Sequence, residues 1–264
     1  MPLYRYGHLP TPATEDALVR PCIHLVGPAS AAAPAPYEVS LASYVFQVLD
    51  QKTTNSCVIH AISGAIMILW AKEGRVDLRV PCRRAAYFEA RRYDGLHVED
   101  GGCFVPSAYR AFEEFGFCPE SVYPFEVNGQ VGDVLEIPPL EVYRAAFDQE
   151  RKIERYRCTG SIDVRRALAS GYPVTVALTV DEDFENLAPG AIWMPGGKVL
   201  GSHYVTITGY DQDSFEVLNS WGTVWARGGF GRIAAALLDN PRVAAEMFAV
   251  TVAPRFSGPV DQAA

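Results

Sequence analysis

Residues 56–73 carry apolar side chains at Val58, Ile59, Ile62, Ile66, Leu69 and Trp70. That is the spacing of a helix, and its composition predicts deep burial, with Gly74 ending it. A helix so apolar needs the rest of the chain packed around it. Shorter helical patterns follow near 83–93 and 105–115, the second ending at Gly116, and again over 139–156 and 162–170. From PVTVALTV onward the pattern changes. Stretches 173–180, 203–210 and 214–218 are rich in Val, Thr and Ile and are expected to be strands. Helices first and strands second predict an α+β fold with segregated halves. No internal repeat is present.

The chain has 264 residues, enough for one large domain or two closely packed lobes with an ample core. Its 49% apolar and 20% charged content is that of an ordinary globular protein. The formal charge of −8 and the lack of a basic stripe argue against nucleic acid or an anionic membrane as a partner. No apolar run is long enough to span a bilayer. The first twenty residues lack the apolar core of a secretory signal peptide, and LVGPASAAAPAP is better read as a linker. The expected location is therefore cytoplasmic, or exported by a route that needs no such signal. Residues 1–36 hold seven prolines and no sustained period, which predicts an extended arm.

The six cysteines are Cys22, Cys57, Cys82, Cys103, Cys118 and Cys158. No C-x-x-C pair occurs, so neither a zinc knuckle nor a disulfide framework is expected, and the thiols read as reduced and mostly buried. Neither metal nor cofactor is expected.

Cys57 stands out within TTNSCVIHAISGAIMILW. Cys57 and His60 could share a helix face as two metal ligands, but nothing supplies the other two. Cys57 could be a core thiol. It could also be a nucleophile, because a cysteine in the first turn of a helix meets unpaired N–H groups and a dipole that favour a negative sulfur. A nucleophile needs a histidine from elsewhere in the chain and a third polar group to orient that histidine.

Both appear in GSHYVTITGYDQDSFEVLNSWGTVWARGGFG, residues 201–231, with His203 opening a strand and Asn219 beginning NSWG. The separation of Cys57 and His203 falls in the window of roughly 130–150 residues that goes with papain-like enzymes. Gln51 lies six residues before Cys57. Together these motifs resemble the papain family of cysteine peptidases. DGGCFVPSAYRAFEEFGFCPESVYPF is similar to that family's glycine pair, helix and Glu-x-x-Tyr-Pro turn, and SIDVRRALASGYPVTVALTV to its entry into the second lobe. RYGHLP resembles an arm found on bacterial members. The resemblance runs from about Tyr37 to Ile233.

The resemblance implies a two-lobe fold: a helical lobe over about 52–125, an antiparallel, barrel-like β lobe over about 138–252, and the active-site cleft between them. The peptidase domain is expected at 37–258, followed by a tail at 259–264. His203 would share a proton with Cys57, Asn219 would orient His203, and Trp221 would either shield that bond or simply pack. Gln51 and the Cys57 backbone N–H would bind the oxyanion. Gly101 and Gly102 would form the edge that pairs with an extended substrate, and Asn55 and Ser202 would flank it.

Departures from the family pattern are Thr54, Asn55 and Val58 around the nucleophile, Ser202 before the histidine, and Ala226 in the WG…WG pattern. Thr54 replaces a cysteine of a family disulfide. His60 stands where the family has an aromatic, so it is expected to pack. The implied activity is a monomeric endopeptidase acting on protein or peptide through an acyl-enzyme, of bacterial type and conceivable as an effector or zymogen. The alternatives are a transpeptidase or amide ligase with the same intermediate, or a non-catalytic papain-like binding protein. The arm is expected either to occupy the groove and restrain activity, or to strap the back of the second lobe.

Overall fold

The computed structural model describes residues 4–12, 19–32, 35–74, 80–147 and 151–254. The expected tail at 259–264 and part of the arm lie outside them. The central element is helix α2, Cys57–Lys72, in which every residue from Cys57 to Trp70 is buried. Helices α3 (Arg83–Tyr93) and α4 (Val105–Arg110) pack beside it. A wider turn at Ala111–Phe115 continues α4 and ends at Gly116, whose φ of 93° suits glycine.

The second half forms a mostly antiparallel sheet. Its strands are β2 (Val39–Ser40), β4 (Arg151–Arg157), β5 (Val174–Asp181), β6 (Ile192–Trp193), β7 (Val199–Tyr210), β8 (Ser214–Leu218), β9 (Phe230–Ala234) and β10 (Ala244–Pro254). Their order is β4-β10-β5-β7-β8-β9-β6, with β2 on the end of β7. Among the described residues β4 and β6 do not pair, so this lobe is not a closed barrel. The chain is thus the expected α+β fold of a helical lobe followed by a β lobe.

The lobes share a core. Ile59, Ile62 and Ile66 of α2 pack in one apolar cluster with Tyr204 of β7 and with Phe248 and Val250 of β10. Thr206 Oγ1 donates to the Ala61 carbonyl at 2.7 Å, fixing α2 against β7. Each buried aliphatic side chain here contributes roughly 1.5–3 kcal/mol relative to exposure. The dense seam sets the N-terminus of α2 against the start of β7.

Two sequence expectations need correction. The helix expected over 139–156 is a helix only at α5, Leu140–Phe147, and then becomes strand β4. Strand β4 is a sheet edge, and edge strands carry charges. Its RKIERYR sequence therefore imitates an amphipathic helix. The arm is not extended throughout: Ile23–Ala32 is helical, α1, broken at Gly27 with φ 77°. The remaining helix of note is α6, Ser161–Ala169. Strand β1 (His8–Leu9) pairs in parallel with β3 (Cys103–Phe104), across the cleft side of the helical lobe.

Candidate active site

Cys57 is the first residue of α2, preceded by Ser56 in a non-helical conformation. Its thiol is buried, and the nearby backbone N–H groups of Tyr204, Gly7 and Val58 favour its ionised form. Burial outweighs those donors and pushes the thiol up to about 11. The contact with Tyr204 places the sulfur beside the residue that follows His203.

His203 lies on β7 opposite Leu178 of β5 and is fully buried. Its Nε2 hydrogen-bonds Asn219 Oδ1 at 2.7 Å. That oxygen also accepts from the Ser220 N–H at 2.7 Å, so the amide is oriented and must accept from the ring. Nε2 therefore carries the proton, and a neutral ring keeps Nδ1 as a lone-pair acceptor. Nδ1 has no hydrogen-bond partner. Burial pushes His203 down to about 4, against the opposing effect of the Asn219 bond. Trp221 stacks on the imidazole with centroids 4.5 Å apart and covers the His203–Asn219 pair.

Gln51 is locked in place. Its Oε1 accepts from Ser220 Oγ at 2.7 Å, its backbone N–H donates to the Ser220 carbonyl at 2.8 Å, and its Nε2 donates to the Thr54 carbonyl at 2.9 Å. The second donor direction of Nε2 meets the carbonyl of Arg5 at 3.1 Å. A backbone carbonyl of the arm thus takes the remaining donor of the Gln51 amide.

Residues 4–11 run through the cleft. Tyr4 stacks on Trp221 at 4.2 Å, and Tyr6 sets its edge toward both His203 and Trp221. Gly7 accepts from the Cys103 N–H at 3.0 Å. His8 stacks on Tyr204 and bonds Ser202 Oγ at 2.7 Å through Nδ1 and Glu246 Oε1 at 2.9 Å through Nε2. Glu246 also accepts from the Thr11 N–H at 3.0 Å and from its hydroxyl. Burial alone would raise the Glu246 carboxyl, but the bonds and charge of His8, with those of Thr11, hold it below the usual range. Beside Tyr4 a cavity of about 750 Å³ opens, lined among others by Glu185, Leu187, Lys198 and Trp225.

The residues singled out from sequence fall into three groups. Cys57, His203, Asn219, Gln51 and Trp221 come together at the head of α2. Gly102, with φ 93°, lies so close to the arm that a Cβ there would come within 2.2 Å of the Gly7 oxygen. Ser202 meets His8. Gly101 makes no such approach: a Cβ there would meet only the Glu99 side chain. Asn55 turns its amide to the Asp100 carbonyl and its N–H to the Asp100 carboxylate at 3.0 Å, bracing the wall of the cleft. His60 packs as expected. It is buried against Phe125, bonds Ser56 and the Arg83 guanidinium, and is held well below its ordinary pKa by burial and by Arg83. No group of three metal-ligating side chains occurs among the described residues.

Sequence reasoning missed His8, Glu246 and the cavity by Tyr4. His8 and Glu246 meet across a separation of 238 residues, and no local motif marks either one. The one available signal was a histidine inside the RYGHLP stretch.

A family model described as papain family cysteine protease matches residues 33–251. An uncharacterised peptidase C1-like protein of Acanthamoeba polyphaga mimivirus is 26% identical over 220 residues, covering 76% of this chain and 68% of that protein. Cathepsin B-like cysteine proteinase 6 of Caenorhabditis elegans is 36% identical over 223 residues, covering 70% of this chain and 57% of that protein. The chain spans about half to two thirds of the length of the curated relatives it matches. Among solved structures, xylellain, a cysteine protease from Xylella fastidiosa, superposes with a TM-score of 0.82 at 23% identity, over 93% of this chain and 95% of that one.

Proposed function

The chain belongs to the papain family of cysteine proteases, and on that premise we propose that it is a cysteine endopeptidase held latent by its own N-terminal arm. The observation that carries this reading is the His203–Asn219 pair, which leaves Nδ1 as an acceptor on the residue next to Tyr204, whose N–H reaches the Cys57 sulfur. With a substrate bound, Nδ1 takes the thiol proton and the thiolate attacks the scissile carbonyl. Asn219 holds the imidazolium by accepting from Nε2. The Gln51 amide and the Cys57 N–H stabilise the oxyanion; losing one such donor typically costs about a hundred- to a thousand-fold in rate. His203 then protonates the leaving amine, and water attacks the acyl-enzyme with His203 as base.

Residues 4–11 oppose each step. The Arg5 carbonyl fills the oxyanion position, and Tyr6 covers the imidazole. At the sulfur the arm presents the Gly7 N–H, a donor rather than an electrophilic carbon. In this covered state both members of the pair are neutral at pH 7, because the thiol is pushed up to about 11 and the imidazole down to about 4.

The test compares the full chain with a version beginning near Pro36, on a short peptide substrate. Truncation is expected to raise kcat/KM by at least tenfold, with product masses showing hydrolysis. It should also let a thiol-directed irreversible inhibitor label Cys57. An unchanged or lower kcat/KM with a reduced Tm would show that the arm only braces the fold. No labelling and no turnover in either form would overturn the enzymatic reading.

A further inference from the structure

Five cysteines remain outside the catalytic group, and four of them are arranged as two in-register neighbours. At the arm, Arg157 N–H bonds the Arg20 carbonyl at 2.8 Å and Cys22 N–H bonds the Arg157 carbonyl at 2.7 Å. This is a parallel bridge between Pro21 and Arg157, which sets Cys22 beside Cys158. In the helical lobe, Cys82 N–H bonds the Cys118 carbonyl at 2.6 Å and Glu120 N–H bonds the Val80 carbonyl at 2.8 Å. This antiparallel bridge between Pro81 and Pro119 sets Cys82 directly opposite Cys118.

Residues paired across such ladders have Cα atoms roughly 4.5–5.5 Å apart, inside the range of about 4.4–6.8 Å that a disulfide spans. Cys22 and Cys158 lie in one apolar cluster, and Cys82 and Cys118 in another. All four are buried free thiols. A single vicinal pair could be chance. Two pairs, at separate places and both in register, leave only Cys103 without a partner beyond the nucleophile.

We propose that Cys22–Cys158 and Cys82–Cys118 are two latent disulfides, closed by exchange with a small-molecule or protein disulfide. The expectation of reduced thiols then describes one of two redox forms. In each pair one thiol is the better attacker. A hydrogen bond between the partners lowers the pKa of Cys22 and raises that of Cys158, and likewise lowers Cys118 and raises Cys82. The Cys22 thiolate attacks one sulfur of the oxidant RSSR and expels a thiolate, which takes up the proton. Cys158 then attacks the Cys22 sulfur of the mixed disulfide, its proton leaving with the second RSH. Two electrons and two protons pass from the cysteine pair to RSSR, and the Cys118–Cys82 pair reacts in the same way. The first bond ties the arm to the residue after β4. The second ties the start of α3 to the turn that follows Gly116. A chain cut between Cys22 and the peptidase domain would leave the arm attached until that bond is reduced.

The test incubates the full chain with oxidised glutathione, unfolds it in acid, alkylates the remaining thiols and maps the peptides by mass. Two linked peptides are expected, Cys22 with Cys158 and Cys82 with Cys118, each lacking two hydrogens. The oxidised form should melt roughly 15 °C above the reduced form, as loops of these lengths imply. The double variant Cys22→Ala/Cys158→Ala should lose the first linked peptide and part of the rise in Tm while keeping the second. Recovery of all four thiols alkylated, glutathione adducts in place of internal links, or any other pairing would overturn the proposal. The mapping uses the native chain, so it reads out even if the double variant fails to fold.

Discussion

At the residue scale the latency proposed above rests on the desolvation of Cys57 and His203. A buried thiol pushed to about 11 holds its proton at neutral pH, and an imidazole pushed to about 4 does not offer one. Since the thiolate alone is alkylated, the covered chain should react with iodoacetamide very slowly at pH 7, its rate climbing only as pH rises toward about 11. With the arm removed, water and the His203 imidazolium return, so the inflection should fall below the ordinary thiol value of about 8.5. Identical profiles for the two forms would refute this account. Asn219 accepts from His203 and does no proton chemistry, so Asn219→Ala should slow kcat less than His203→Ala in the truncated chain, by an order of magnitude or more. A loss in the asparagine variant as large as that in the histidine variant, with the fold intact, would contradict that division.

At the element scale, what positions the site is the junction of a buried helix with a buried strand. The helix was legible because the apolar residues of Cys57–Lys72 repeat at helical period, and the thiol's place in its first turn followed from that. The strand carrying His203 was legible from its β-branched run. Strand β4 was not, because its charged residues belong to a sheet edge, and an edge and an amphipathic helix write similar patterns. Short β1 was illegible for another reason. Two residues carry no period, and their partner, β3, lies far along the chain in the helical lobe. That pairing depends on glycines meeting face to face. A Cβ at Gly7 would come within 1.7 Å of the Asn55 carbonyl oxygen, a backbone atom with no freedom to yield. Gly7→Ala should therefore lift the arm and bring the full chain's kcat/KM close to that of the truncated form. A variant as latent as wild type would show that the arm seats without this contact.

At the scale of the whole molecule, the four candidate positions could be picked out because Gln51, Cys57, His203 and Asn219 each sit in a motif with a fixed order. What gathers around these candidate positions was not readable, since Arg5, His8 and Glu246 reach them only through the fold. The division into helical and β halves was visible in the change of period near residue 173. The openness of the sheet was not, because strand order is a property of pairing and not of any one segment. The arm's covalent continuity with the domain has a consequence for molecularity. A separate inhibitor leaves its target when both are diluted, whereas a blocker on the same chain keeps a fixed local concentration whatever the volume. Specific activity of the full chain should thus be flat across a thousandfold range of enzyme concentration, and a purified sample should not awaken on dilution. Activity that rises on dilution would mean that the segment filling each cleft comes from a neighbouring molecule.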